Sequence, residues 1–212
     1  EPDFAGTPVV VLNGAGAGVG VSGLELQASG NTVRGLVIQG FRENGLNNGG
    51  MGLQIDAAST NNLIAGNYIG TDVTGSLDRG NTGTGIALNA SNAVVGGSVA
   101  SDHNLISGND GSGIVVAGAS NTIAGNIIGL NAAGTAALAN SQYGIQVTSA
   151  SNVIGGVTAG EANVVSGNTV AGIALSGAGA TGNLVTGNEI GTNAAGTGAV
   201  GNATGILVSG GA

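Results

Sequence analysis

The sequence has no cysteine, no lysine and no tryptophan, only two prolines, and four aromatic residues: Phe4, Phe41, Tyr68 and Tyr143. Without cysteine there are no disulfides and no thiolate metal sites, in keeping with a secreted bacterial protein as much as a cytosolic one. Its three cations, Arg34, Arg42 and Arg79, stand against 11 acidic residues, for a formal net charge of -8. A surface of that sign repels phosphate backbones and anionic lipid, so nucleic acid is not expected as a partner. No apolar run approaches membrane-spanning length, which argues against membrane insertion by a helix. The scarcity of aromatics matters most for architecture. A wide globular interior needs bulky side chains, whereas a narrow stack of coils is filled by Val, Ile and Leu.

What is present in excess is glycine, 45 residues among 212, and asparagine at regular intervals. The stretch 62–91, NLIAGNYIGTDVTGSLDRGNTGTGIALNAS, divides into three phrases. Asn62 opens N-x-I-x-G, Asn67 opens N-x-I-G, and Asn81 stands before a Gly-Ile-x-Leu run. Each phrase alternates core-type with small or polar residues, the period of a strand. Versions recur along the chain, and a fixed period of this length is the mark of a solenoid. The first Asn recurs at Asn31, Asn62, Asn92, Asn121, Asn152 and Asn183. The second recurs at Asn67, Asn104, Asn126, Asn163 and Asn188, with Leu36 in its place in the first copy. The third recurs at Asn48, Asn81, Asn109, Asn140, Asn168 and Asn202, each shortly before a glycine followed by Leu or Ile.

The expected fold is therefore all-β: a right-handed parallel β-helix with three short strands per coil and about six to seven coils. Long excursions leave two different corners in alternate coils, so the duplicated unit is two coils. The chain is expected to form one domain over 1–212, with 1–22 a partial coil or cap and 23–209 the repeat coils. The abrupt first repeat suggests a segment of a longer polypeptide.

Stacked coils rise about 4.8 Å each, so equivalent side chains lie over one another. The expected inward columns are Val33, Ile64, Val94, Ile123, Ile154 and Val185; Ile69, Ile106, Ile128, Val165 and Ile190; and Ile86, Ile114, Ile145, Ile173 and Ile206. Asn at the corners tolerates left-handed backbone and can hydrogen-bond to the amides above and below it. The outward positions Leu63, Val153, Leu184, Leu105, Ile127 and Val164 are apolar, and are expected to be covered by excursions or by a neighbouring chain.

The phrases NLIAGNYIGTDVTG, NTIAGNIIGLNAAGT and NLVTGNEIGTNAAGT resemble the parallel β-helix repeats of large bacterial secreted and surface proteins, an architecture shared with the pectate-lyase-like superfamily. The resemblance covers about residues 23–209. It implies the fold and an extracellular or cell-surface location. It does not choose among lyases, hydrolases, epimerases, adhesins and passive stalks, all of which use this scaffold.

Polysaccharide-modifying members of that fold need a base, a carboxylate neutraliser and groups that grip sugar, and this chain is poor in all three. The candidates are Asp72, Asp78 and Arg79 in one excursion, and Asp102 with His103, the only histidine, in another. Each has a plain alternative as a solvated turn. No cofactor is implied. Calcium is the one metal considered, with Asp72, Asp78 or Asp102 joining backbone carbonyls, but the G-G-x-G-x-D repeat of calcium-filled β-rolls is missing. The stacking code beside so few reactive groups leads to an expected role as a non-catalytic structural or adhesin-like segment. Its partners would be a cell-surface protein or glycan, or copies of itself meeting end to end or laterally. The alternative is a polysaccharide-binding or polysaccharide-modifying module, lyase-like or epimerase-like.

Overall fold

The computed structural model describes residues 6–45 and 49–210. Two strands, β1 (Val10–Asn13) and β2 (Leu24–Leu26), lead into six coils of three strands each. The first coil is β3 (Thr32–Arg34), β4 (Leu36–Gln39) and β5 (Leu53–Ile55); the second is β6 (Leu63–Ala65), β7 (Tyr68–Ile69) and β8 (Ile86–Leu88). The third comprises β9 (Val94–Gly96), β10 (Leu105–Ile106) and β11 (Ile114–Val116); the fourth, β12 (Thr122–Ala124), β13 (Ile127–Ile128) and β14 (Tyr143–Val147). The fifth and sixth follow as β15 (Val153–Gly155), β16 (Val164–Val165), β17 (Ala171–Ser176), and β18 (Leu184–Thr186), β19 (Glu189–Ile190), β20 (Thr204–Ser209). Every third strand pairs in parallel, giving three sheets: β3 to β18 form the first, β1 to β19 the second and β2 to β20 the third. This is the β-solenoid that the repeats predict.

Strands this short are held by what lies inside. Ile38, Ile69, Ile106, Ile128 and Val165 make a fully buried column under the second sheet. Ile86, Ile114, Ile145 and Ile173 make another under the third. Each such side chain contributes about 1.5 to 3 kcal/mol by area, an upper figure before chain entropy is subtracted.

The corners are closed by asparagine. Asn67, Asn81, Asn109, Asn126, Asn140 and Asn163 are fully buried. In the ladder between the first and second sheets, Asn67 Nδ2 donates to Asn104 Oδ1 at 3.1 Å, Asn104 to Asn126 at 2.8 Å, Asn126 to Asn163 at 2.9 Å and Asn163 to Asn188 at 2.8 Å. The ladder between the second and third sheets links Asn81, Asn109, Asn140, Asn168 and Asn202 at 2.9 to 3.0 Å. At its top the Phe41 N–H donates to Asn81 Oδ1, so Phe41 holds the place that the sequence assigns to Asn48, a residue outside the described ones.

The remaining ladder departs from the sequence register in one coil. Thr32, Leu63, Val94, Thr122, Val153 and Leu184 pair across the first sheet, which places Ala93, not Asn92, between Asn62 and Asn121. Asn92 has φ +58°, matching Asn61, Ser120 and Ser151 at the same corner, with Gly30 and Gly182 there in the end coils. The left-handed bend and the ladder amide are thus separate positions, one residue apart. Asn92 satisfies the first and so mimics the motif one residue early. Val95 is consequently the buried residue of that coil, and Val94, expected inside, is 37% exposed.

The excursions form columns of their own. Thr71 bridges Asp78, Leu130 bridges Ala137 and Thr192 bridges Ala199, so the same ribbon recurs in the second, fourth and sixth coils. Ala132 N–H donates to the Gly75 carbonyl and Ala194 N–H to the Gly134 carbonyl, so each ribbon stacks on the next across an intervening coil. A Cβ on Gly75 would meet Ala132 at 2.5 Å and Leu105 at 2.7 Å, and this tight lid leaves Leu105 2% exposed. Excursions therefore cover the second sheet as expected. On the first sheet the cover is missing at Leu184, which is 53% exposed.

Candidate functional site

The structure separates the five candidate residues. Asp72 is a turn fastener: its Oδ1 accepts from the Thr74 hydroxyl at 2.8 Å and from the Ser76 and Leu77 N–H groups at 3.0 Å. Asn131 and Asn193 do the same in their ribbons, accepting from Thr135 and Ala136, and from Thr197 and Gly198. Burial pushes the Asp72 carboxyl up, but the donors from Leu77, Thr74 and Ser76 outweigh it and hold it below the usual carboxylate range.

Asp102 and His103 lie at the other margin of the second sheet. Asp102 Oδ1 pairs with the Arg34 guanidinium at 2.6 Å, bracing the first coil against the excursion of the third. His103 turns its ring toward Gly125, and its Nε2 is buried with no hydrogen-bond partner among the described residues. It borders a cavity of about 230 Å³ with Tyr68, Leu105 and Ile127. Tyr68 points outward under the Gly75 ribbon, as its position beside an inward Ile requires. Burial pushes its hydroxyl up, partly offset by a hydrogen bond with Thr7.

Asp78 and Arg79 belong elsewhere, to a lateral groove along the corner between the second and third sheets. Two lobes of about 740 and 630 Å³ meet at Arg42, Thr82 and Asp110. Backbone bonds set these three in one row along the solenoid axis. Thr82 N–H donates to the Phe41 carbonyl at 2.9 Å, Asp110 N–H to the Asn81 carbonyl at 2.9 Å, and Ser141 N–H to the Asn109 carbonyl at 2.9 Å. Each member follows a residue of the ladder by one. The ladder is therefore what aims the row outward.

The adjoining row explains the depression. Gly83 N–H donates to the Gly50 carbonyl, Gly111 N–H to the Gly83 carbonyl, and Gln142 N–H to the Gly111 carbonyl. Gly83 and Gly111 offer no side chain to fill the larger lobe, and a Cβ on Gly111 would stand 2.8 Å from the Gly83 backbone. Burial pushes the Asp110 carboxyl up, reinforced by the charge of nearby Asp78. Among the described residues, neither Arg42 nor Arg79 forms an ion pair.

Asp110 and Arg42 were not singled out by the sequence as site residues. The signal was the column directly after the third ladder position, which reads Arg42, Thr82, Asp110 and Ser141 once Phe41 is put in register. Among the described residues no cluster of three or more His, Asp or Glu is placed to hold a metal ion; Asp102 is separated from Asp72 and Asp78 by the width of the second sheet. No helix of the described chain is long and apolar enough to cross a membrane. No family model matches the chain, and no curated protein or solved structure matches it either.

Proposed function

We propose that this chain is a non-catalytic, adhesin-like solenoid segment of an extracellular or cell-surface protein, bacterial in origin and related to the pectate-lyase-like β-helices. Right-handed winding goes with that proposal, since parallel crossovers strongly prefer this hand. One observation carries it: two of the charged candidates, Asp72 and Asp102, are engaged in holding the fold together. Asp72 fastens a ribbon as Asn131 and Asn193 do, and Asp102 is tied to Arg34. The product of such a molecule is a rigid rod with a lateral surface. Its proposed partners are a cell-surface protein or glycan, with lateral or end-to-end self-association a further proposal supported by exposed Val94 and Leu184. The test is incubation with a panel of neutral and acidic glycans, scored for unsaturated or newly reducing ends. No product is expected, and any product that grows with protein concentration overturns the reading.

A second reading, a polysaccharide-modifying module, is favoured by the groove. Arg42, the Asp78 and Arg79 pair, and Asp110 come from three successive coils and converge there. Under this reading the same panel yields product, and Asp78→Ala or Asp110→Ala abolishes it while the melting transition is kept.

A further inference from the structure

We propose that Asn44 is a self-modifying position: its carboxamide cyclises onto the Gly45 nitrogen and then hydrolyses, leaving aspartate or isoaspartate at the N-terminal end of the solenoid.

Asparagine is chemically labile where glycine follows it, because the missing Cβ lets the next backbone nitrogen approach the side-chain carbonyl carbon. In this chain glycine follows only Asn13, Asn44 and Asn48. The ladder is built otherwise. Asn62 precedes Leu63, Asn67 precedes Tyr68 and Asn121 precedes Thr122, and the buried ladder amides are held by bonds between coils.

The fold then separates the three. Ring closure swings the Asn–Gly peptide, so the glycine needs room to move. Gly14 is buried, and a Cβ there would stand 2.6 Å from Phe41. Its Asn13 is also engaged, with Oδ1 accepting from the Ala15 N–H at 3.0 Å to cap the short 3₁₀ turn Gly14–Gly16. Gly49 bridges Glu43, and a Cβ on it would stand 2.2 Å from the Gly20 backbone. Around Gly45 a Cβ would meet nothing within 4 Å, and Asn44 and Gly45 are both exposed. Gly45 has φ +77°, a conformation that glycine exchanges for others at little cost. An Asp–Gly bond forms the same ring more slowly, but Gly111 after Asp110 is held: its N–H donates to the Gly83 carbonyl at 3.0 Å.

The backbone flanking Asn44 is pinned, so the reaction needs no unfolding of the coil. Gly20 N–H donates to the Arg42 carbonyl at 2.7 Å, Glu43 N–H to the Thr82 hydroxyl at 2.7 Å and Gly50 N–H to the Val21 carbonyl at 3.0 Å. In the first step the Gly45 nitrogen attacks Asn44 Cγ and gives up its proton, a C–N bond forms, and the carboxamide nitrogen leaves as ammonia. Water then opens the succinimide ring. Addition at Cγ restores the ordinary main chain with an aspartate, and addition at the backbone carbonyl routes the main chain through Cβ as isoaspartate. Water is the sole co-reactant, and nothing is oxidised or reduced. The product carries one more negative charge on a chain already at -8, two residues from Arg42 and beside Gly45 at the rim of the larger lobe.

The experiment is incubation of the full chain at constant warmth in buffers from neutral to mildly alkaline pH, with peptide mapping by mass spectrometry and enzymatic methylation of isoaspartate. A more acidic form accumulates, faster at higher pH because the attacking nitrogen must lose its proton, and the change maps to Asn44. Asn13 and Asn48 convert about tenfold more slowly or less, since each must first open locally. A synthetic peptide of residues 41–50 converts at Asn44 and Asn48 alike, because the packing of Gly49 is absent from it. Asn44→Gln removes the acidic form, and Gly45→Ala slows it, which keeps the test open if either variant misfolds. Conversion at Asn13, Asn48 or a ladder asparagine as fast as at Asn44 overturns the proposal. So does an Asn44 that stays intact while the peptide converts, or an acidic form that persists at the same rate in Asn44→Gln.

Discussion

Asn109 reaches Asn140 twice: its Nδ2 donates to Asn140 Oδ1 at 3.0 Å, and its backbone N–H donates to the same oxygen at 3.2 Å. From the other side, Asn81 Nδ2 donates to Asn109 Oδ1 at 2.9 Å. One buried amide therefore serves the coil on each side of it. Asn109→Ala removes the acceptor shared by the Asn81 side-chain amide and backbone N–H, leaving that buried N–H unpaired, and takes one of two donors from the Ile69 carbonyl, which keeps the Ser107 N–H. The expected loss is about 2 to 5 kcal/mol, read as a fall in the denaturant midpoint with unaltered slope.

Ala93 is the gap in the ladder at the corner between the third and first sheets. The Ala93 N–H donates to Asn121 Oδ1 at 2.8 Å, but its methyl offers no oxygen to the Asn62 N–H on the other side. Ala93→Asn should complete the column and stabilise the chain by about 1 kcal/mol. A fall in melting temperature would show that this corner, where Ala93 is 1% exposed, has no room for the amide.

Asp72 and its counterparts Asn131 and Asn193 do one job with and without a charge. The Asp72 carboxyl is held below the usual range, so its contribution is present above the unfolded pKa and is lost as pH falls through the folded one. Asp72→Asn is therefore expected to cost a little at neutral pH and nothing in acid. Melts of both proteins across the acidic range would show the two curves converging as pH drops.

Asp110 has the opposite sign. With its pKa raised by burial and by Asp78, the folded state holds the proton more tightly than the unfolded one, so ionisation at neutral pH costs stability. Asp110→Asn should raise the melting temperature at neutral pH, and the gain should shrink as pH falls below the folded pKa and be gone below the unfolded one. A gain that grew toward acid would reverse this assignment.

The sequence showed the coils plainly because stacking demands the same residue at the same place many times. Isoleucine columns and ladder amides are properties of each copy, and copies can be compared. Asn92 misled because two adjacent corner positions both accept asparagine, one for a left-handed bend and one for an amide bond. Composition cannot separate them; the pairing of Val95 with Ile123 does. Asp110 escaped notice for the converse reason. It occurs once, beside Thr82 and Ser141 in its column, so repetition does not mark it.

Period, strand count and most of the stacking residues were thus determined by the amino-acid sequence itself, because each depends on neighbours within one coil or on identity between coils; Ala93, Val95 and Phe41 took their places only in the fold. Which face would be covered, and where charge would gather, was decided only in three dimensions. Arg42, Arg79 and Asp110 are far apart in the chain and share no motif. They meet because each winding of the solenoid brings the same corner back to the same side. Excursion length governs how many residues separate two corners in sequence, and has no bearing on the one strand spacing that separates them in space.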